Sequence, residues 1–255
     1  MNYIDLNCDL GESYGVFKIG NDKEILKHIS SANIACGYHA GDHNVMMETI
    51  QMAKKHQVNI GAHPGLPDIL GFGRRGMNVA PREIYNLTLY QIGALNAFTV
   101  AEGVKLVHVK PHGAMYNMAA KSRLIADAFA QAVADFDSSL ILFGLAGSEL
   151  IHAGKEKGLV TVQEVFADRT YQPDGTLTSR NENNSIIHDL KFAAERVIRM
   201  IKEKKVTATD GTEVAITADT VCIHGDEPAA LDFILELKHA LANENITIRK
   251  SWSER

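Results

Sequence analysis

The sequence predicts an α/β protein built on a parallel sheet. Two observations lead there: short β-rich runs alternate with amphipathic helical stretches, and nearly every run ends in a polar or charged cluster. The β-rich runs lie near 3–8, 31–36, 58–62, 105–110, 139–144, 160–166 and 219–224. Such alternation implies right-handed crossovers between parallel neighbours, in a closed or an open sheet. Helical periodicity is clearest at 42–56 (Val45, Met46, Ile50, Met52, Ala53), 81–102 and 185–204. Gly20-Asn21-Asp22 reads as a turn and cap before a first helix, and Pro81-Arg82-Glu83 as a helix start with proline in its first turn. Segment 168–184 is polar and rich in Gly, Pro and Asn, which marks a long surface loop. An Asp-Gly turn at Asp210-Gly211 between two β-prone runs predicts a hairpin-like insert around 206–217.

Composition sets bounds on the class. A chain of 255 residues with 45% apolar and 22% charged residues has the length of one α/β barrel, and no linker or repeat divides it, so 1–255 is expected to form a single domain. The net charge of -5 argues against a nucleic-acid partner, which needs a basic footprint. No apolar run approaches the roughly 18 residues that cross a bilayer, and the first residues lack a basic, apolar leader. Cys8, Cys36 and Cys222 show no CxxC spacing, so neither a disulfide framework nor a structural zinc site is indicated. The expectation is a soluble, cytoplasmic protein, with Cys8 the cysteine of most interest.

The polar clusters carry the functional signal. They read Asn7-Cys8-Asp9-Leu10-Gly11-Glu12, then Cys36 to His43, His63-Pro64-Gly65, Lys110-Pro111-His112, Glu164 to Arg169, and His224-Gly225-Asp226. Parallel α/β sheets place their sites at the carboxyl ends of strands. Alternation puts Asp5, Asn7 and Asp9 on one face, His108, Lys110 and His112 on another, and pairs Glu164 with Asp168 and His224 with Asp226. An apolar barrel interior would not show this pattern; a barrel with a polar funnel at its upper end would.

Individual residues then acquire candidate roles. His39 and His43, four apart, would share one helical face and could hold a divalent metal with Asp9; alternatively they donate to backbone or substrate oxygens. A buried Lys110 requires an acid or phosphate nearby. Asp9 and Glu12 read either as base and acid or as counter-charges to lysine and arginine. Gly71-Phe72-Gly73-Arg74-Arg75-Gly76 offers backbone N–H groups and two guanidiniums to phosphate or carboxylate, or is a solvated loop.

Six blocks together resemble the LamB/YcsF family: DLNCDLGESYG at 5–15, ANIACGYHAGD at 32–42, NIGAHPGLPDILGFGRR at 59–75, VKPHGAMYN at 109–117, EVFADRTYQPDGTLTSR at 164–180 and VCIHGD at 221–226. The resemblance implies a (β/α)7-type parallel barrel similar to that of polysaccharide deacetylases. It implies ATP-driven cleavage of 5-oxoproline to glutamate, with Mg²⁺ accompanying ATP, and partner subunits B and C. In that setting Asp9, Glu12, His39, His63, Lys110, His112 and Glu164 are the expected catalytic group. Asn7, Arg74, Arg75, Asp168, Arg169, His224 and Asp226 are expected to bind substrate or phosphate. Two other readings stay open: a metal-dependent amide or N-acetyl hydrolase without ATP, and a non-catalytic substrate-binding subunit. No nucleotide-binding fingerprint is present in the sequence.

Overall fold

A computed structural model describes residues 2–226 and 229–250. In chain order its strands are β1 (Asn2–Leu10), β2 (Ser31–Ala35), β3 (Asn59–His63), β4 (Leu106–Val109), β5 (Ile141–Leu145), β6 (Thr161–Phe166), β7 (Lys205–Thr207), β8 (Glu213–Ala215), β9 (Thr220–His224) and β10 (Ile246–Ile248). The helices are α1 (Asp22–Ile25), α2 (His43–Lys55), α3 (Pro81–Ala101), α4 (Gly113–Lys121), α5 (Arg123–Phe136), α6 (Glu149–Glu156), α7 (Leu190–Glu203) and α8 (Ala230–Asn243). Strands β1 to β6 and β9 pair in parallel, and β9 returns to β1, with Asp5 opposite Thr220 and Asp9 opposite His224. That pairing closes a seven-stranded barrel. β10 adds to the first residues of β1, with Asn2 opposite Ile246 and Ile4 opposite Ile248. The 206–217 insert is an antiparallel hairpin of β7 and β8, and 168–184 is irregular, pinned by isolated bridges such as Tyr171 to Leu177.

The alternation of β1 separates two environments. Ile4, Leu6, Cys8 and Leu10 face outward and join the main apolar core beneath the helices. Asp5, Asn7 and Asp9 face the barrel interior, where Asn7 donates to Thr220 Oγ1 at 2.8 Å and Asn33 donates to Asp9 Oδ1 at 2.8 Å. Cys8 therefore packs as a small apolar residue. Inside, a small apolar group of Ile141, Phe143 and Val162 supports the polar layers. Phe143 stacks on His108 with centroids 4.3 Å apart. A Cβ on Gly61 would overlap the His108 ring, so the missing side chain makes room for that imidazole inside the barrel.

Helix α2 shows how sequence sets an element that frames the site. The Asp42 side chain accepts from Asn44 N and Val45 N, capping the helix. Val45, Met46, Thr49, Ile50 and Ala53 face inward at helical spacing. Gly41 before the cap has φ +75, and a Cβ there would sit 2.8 Å from Gly11 O, so the turn from β2 into α2 requires glycine. Asn21 precedes α1 as expected but makes no side-chain cap; Asp22 instead accepts from Gly11 N at 2.8 Å. No helix among the described residues is long and apolar enough to cross a membrane.

Candidate active site

Lys110 is the centre of the site. It follows β4 directly, and its ammonium lies inside the barrel, 2.9 Å from Asp9 Oδ1 and 2.8 Å from Glu164 Oε1. It also donates to Cys222 Sγ at 3.0 Å. These partners come from β1, β6 and β9, so one side chain ties three other strands together from within. Burial pulls the Lys110 pKa down, but Asp9, Cys222 and Glu164 outweigh it and hold the ammonium well above the ordinary lysine value. Burial likewise works to raise Asp9, yet His63 and Lys110 keep its carboxyl well below the usual range. The site thus contains a lysinium and an ionised aspartate, both buried at the cavity wall.

Beside this group sits a cluster of imidazoles. His63 donates Nδ1–H to Lys110 O at 2.8 Å and brings Nε2 within 3.3 Å of Asp9 Oδ2. His112 donates Nε2–H to Phe72 O at 2.8 Å. His39 stacks on His112 with centroids 3.6 Å apart and rings nearly parallel. Burial, then the neighbouring imidazoles, lowers the pKa of both His39 and His112 well below the ordinary histidine value. Glu12 lies 3.3 Å from His39 Nε2; burial first, then the charges of Asp9 and Asp226, raise its carboxyl well above the usual value. Two nearby carboxyls are therefore driven in opposite directions, the pattern that separates an acid from a base.

These groups meet a cavity of about 460 Å³ at the carboxyl ends of the strands, with Asp9, His63, Lys110, His112 and His224 in its wall. His224 donates Nδ1–H to Asp168 Oδ2 at 2.7 Å. Arg74, Arg169 and Arg180 also line the cavity. Arg74 pairs with Asp226 at 2.7 Å. Arg169 is buried, with its guanidinium on Ser185 O and Thr178 O; burial and then the Arg180 charge lower its pKa to about 10. Cations packed closely enough to disfavour one another suit an anionic ligand.

Two expectations need correction. His43 is the first residue of α2 and is exposed, whereas His39 lies in the preceding loop; the pair therefore shares no helical face, and His43 joins neither cluster of metal-capable side chains. The loop ends at Gly41 and the Asp42 cap, one turn later than the spacing suggested. Arg75 is bound to Asp68, is largely exposed and does not line the cavity. The remaining expected residues lie in or directly beside the site. Three neighbours escape the reading of the sequence: Asn33, which accepts from His108 Nε2 at 2.8 Å; Cys222; and Tyr116, whose phenol is raised by burial and the Glu164 charge. Asn33 and Cys222 were detectable, since each sits at alternate spacing with a polar strand residue (Ser31 and His224).

The LamB/YcsF family model matches residues 4–254. The chain belongs to the LamB/YcsF family. Among LamB/YcsF relatives, the A subunit of 5-oxoprolinase from Oceanobacillus iheyensis is 61% identical over 97% of this chain and 96% of its own. The corresponding A subunit from Halalkalibacterium halodurans is 58% identical over 98% and 97%. The crystal structure of the lactam utilization protein from Thermus thermophilus superposes with a TM-score of 0.90 at 47% identity, covering 97% of this chain and 99% of that one. The names of these LamB/YcsF relatives attach to them a lactam and a place in a larger enzyme.

Proposed function

We propose that this chain is the A subunit of an ATP-dependent 5-oxoprolinase and that the barrel cavity holds the lactam while its ring is opened to glutamate. The observation that carries this reading is the buried Asp9–Lys110–Glu164 group set beside a cluster of imidazoles at the end of a cavity lined with arginines. The substrate combines an α-carboxylate with a five-membered cyclic amide. Arg169, with Arg74 and Arg180, supplies charge for the carboxylate or for a transferred phosphoryl group. The lactam oxygen is a poor leaving group, so ATP activates it: oxygen attacks the γ-phosphorus, ADP departs, and an imidate-like phosphate forms. Water then adds to that carbon, the C–N bond breaks as the ring nitrogen takes up a proton to leave an acyl phosphate, and a second water hydrolyses it, giving glutamate, ADP and phosphate overall.

In this sequence Lys110 compensates negative charge developing on the amide and its phosphate. Asp9, kept ionised by its neighbours, orients or deprotonates the attacking water, with Glu164 as the second carboxyl in reach of Lys110. His63 and His112, both in the cavity wall, pass protons between water and the ring nitrogen. His39, hydrogen-bonded to Glu12, orders that end of the cluster. Asn7, Asp168, His224 and Asp226 hold Lys110, Arg74 and each other in place. ATP, with its Mg²⁺, is consumed by the enzyme that this chain forms with partner subunits B and C, and this chain contributes the lactam site.

The test follows glutamate and ADP together from 5-oxoproline and ATP, with this chain alone, with partner subunits B and C, and with the partners alone. Coupled formation of both products only when this chain joins its partners is expected. Equal glutamate formation without this chain would overturn the reading.

A further inference from the structure

Part of the cavity wall is apolar: Pro111, Ala114, Tyr116, Phe166 and Leu177 line it together with the ionisable side chains. Phe166, the last residue of β6, is held on two sides. Tyr116 meets its ring edge-on with centroids 5.7 Å apart, and His224 stacks on it at 5.5 Å. Tyr171, fully buried, ties Phe166 to Leu177: its hydroxyl accepts from Phe166 N at 2.9 Å, and its backbone bridges to Leu177. Thr178 N donates to Thr170 O at 3.0 Å and Gln172 N to Thr176 O at 2.7 Å, so the irregular segment that carries Leu177 is fixed by hydrogen bonds. Both apolar side chains stand next to charged anchors. The Lys110 ammonium lies 5.5 Å from the Phe166 ring centroid. Arg169 comes three residues after Phe166 and donates to the carbonyl of Thr178, the residue that follows Leu177.

We propose that Phe166 and Leu177 form the subsite for the methylene edge of the lactam ring, and that Leu177 sets the size of ring accepted. The inference rests on the lactam reading above. In 5-oxoproline the ring methylenes form the edge that runs from the carboxylate-bearing carbon to the amide carbonyl, opposite the nitrogen. With the amide oxygen toward Lys110 and the carboxylate toward Arg169, that edge lies along the wall between the two cations, against Phe166 and Leu177. Taking methylenes out of water against apolar side chains adds affinity. A six-membered lactam acid inserts its additional methylene into this same edge, and a wall held from behind by Tyr171 does not yield to it. The charged groups alone would hold rings of either size.

The experiment measures kcat/KM of the complex with its partner subunits for 5-oxoproline and for the six-membered lactam acid, in wild type, Leu177→Ala and Leu177→Val. The ratio of the two values does not depend on how much of a preparation is folded, so lost stability from trimming a buried leucine leaves it unmoved. One methylene in an apolar pocket changes kcat/KM by about 10–200-fold, so wild type is expected to favour the five-membered ring at least about tenfold. Leu177→Ala should lower that preference at least about tenfold, and Leu177→Val, which removes a single methylene, at least about threefold. A wild-type preference below about threefold, or a change below about threefold in Leu177→Val or in a folded Leu177→Ala, overturns the inference and leaves the lactam reading standing. Absence of glutamate from 5-oxoproline with the wild-type complex overturns both.

Discussion

Asp5 illustrates how far a single residue's environment departs from water. It lies on the interior face of β1, accepting from the hydroxyls of Ser30 at 2.6 Å and Ser31 at 2.8 Å, with Thr220 donating at 2.5 Å. Burial outweighs those hydrogen bonds, the Glu164 charge adds to it, and the carboxyl is pushed up from 3.8 to about 6. A folded-state pKa above the unfolded one means the native state binds the proton more readily, so this group's contribution favours folding at low pH and is lost as pH rises through about 6. Asp5→Asn removes the titration. Its stability relative to wild type is expected to improve by about 1 kcal/mol between pH 5 and pH 7, read by urea unfolding at the two values; a difference independent of pH would contradict the assigned cause. The existence of a polar interior face was legible from alternation in 5–9 and 108–112. The particular partners were not, because which strand lies across the barrel from Lys110 depends on closure: Cys222 and Glu164 reach it from β9 and β6, over fifty residues away in the chain.

At the scale of elements, the seven barrel strands and the 206–217 hairpin were visible because period-two patterning and turn residues are local. Several helices were not singled out. α4 and α5 are separated only by Ser122, which serves as the C-cap of one and the N-cap of the other, so the change of direction is hidden in a continuous alanine-rich stretch. β10 is three residues long, and its pairing with the start of β1 joins segments far apart in the chain, beyond the reach of any local signal. The misreading of His43 came from one boundary: Asp42 caps α2, so the helix begins at His43 and His39 stays in the loop. Asp42 also accepts from Gly15 N at 2.7 Å, tying the β1–α1 loop to the start of α2. Asp42→Ala is therefore expected to cost about 1–2 kcal/mol, measured by denaturant unfolding, and to increase proteolytic cleavage within 13–20. An unchanged midpoint would show that the cap contributes nothing to the fold.

For the whole molecule, closure and the proposed chemistry rest on the same residue. Lys110 joins β1, β6 and β9 from inside the barrel through Asp9, Glu164 and Cys222. Lys110→Met leaves two carboxyls without their cation in a dry interior, for which a loss of roughly 3–5 kcal/mol is expected unless they take up protons. The fold should survive, since the apolar core between the sheet and the helices is separate from this polar interior. Activity should not survive, because among the described residues no other lysine that lines the cavity bonds to Asp9. The decisive measurement is the initial rate of glutamate formation by the complex reconstituted with Lys110→Met, made at a temperature where circular dichroism shows the variant folded and sizing shows it bound to its partners. A fall on the order of 10³-fold or more is predicted. A rate within about threefold of wild type would remove Lys110 from the chemistry, and with it the barrel cavity as the place where the lactam is opened.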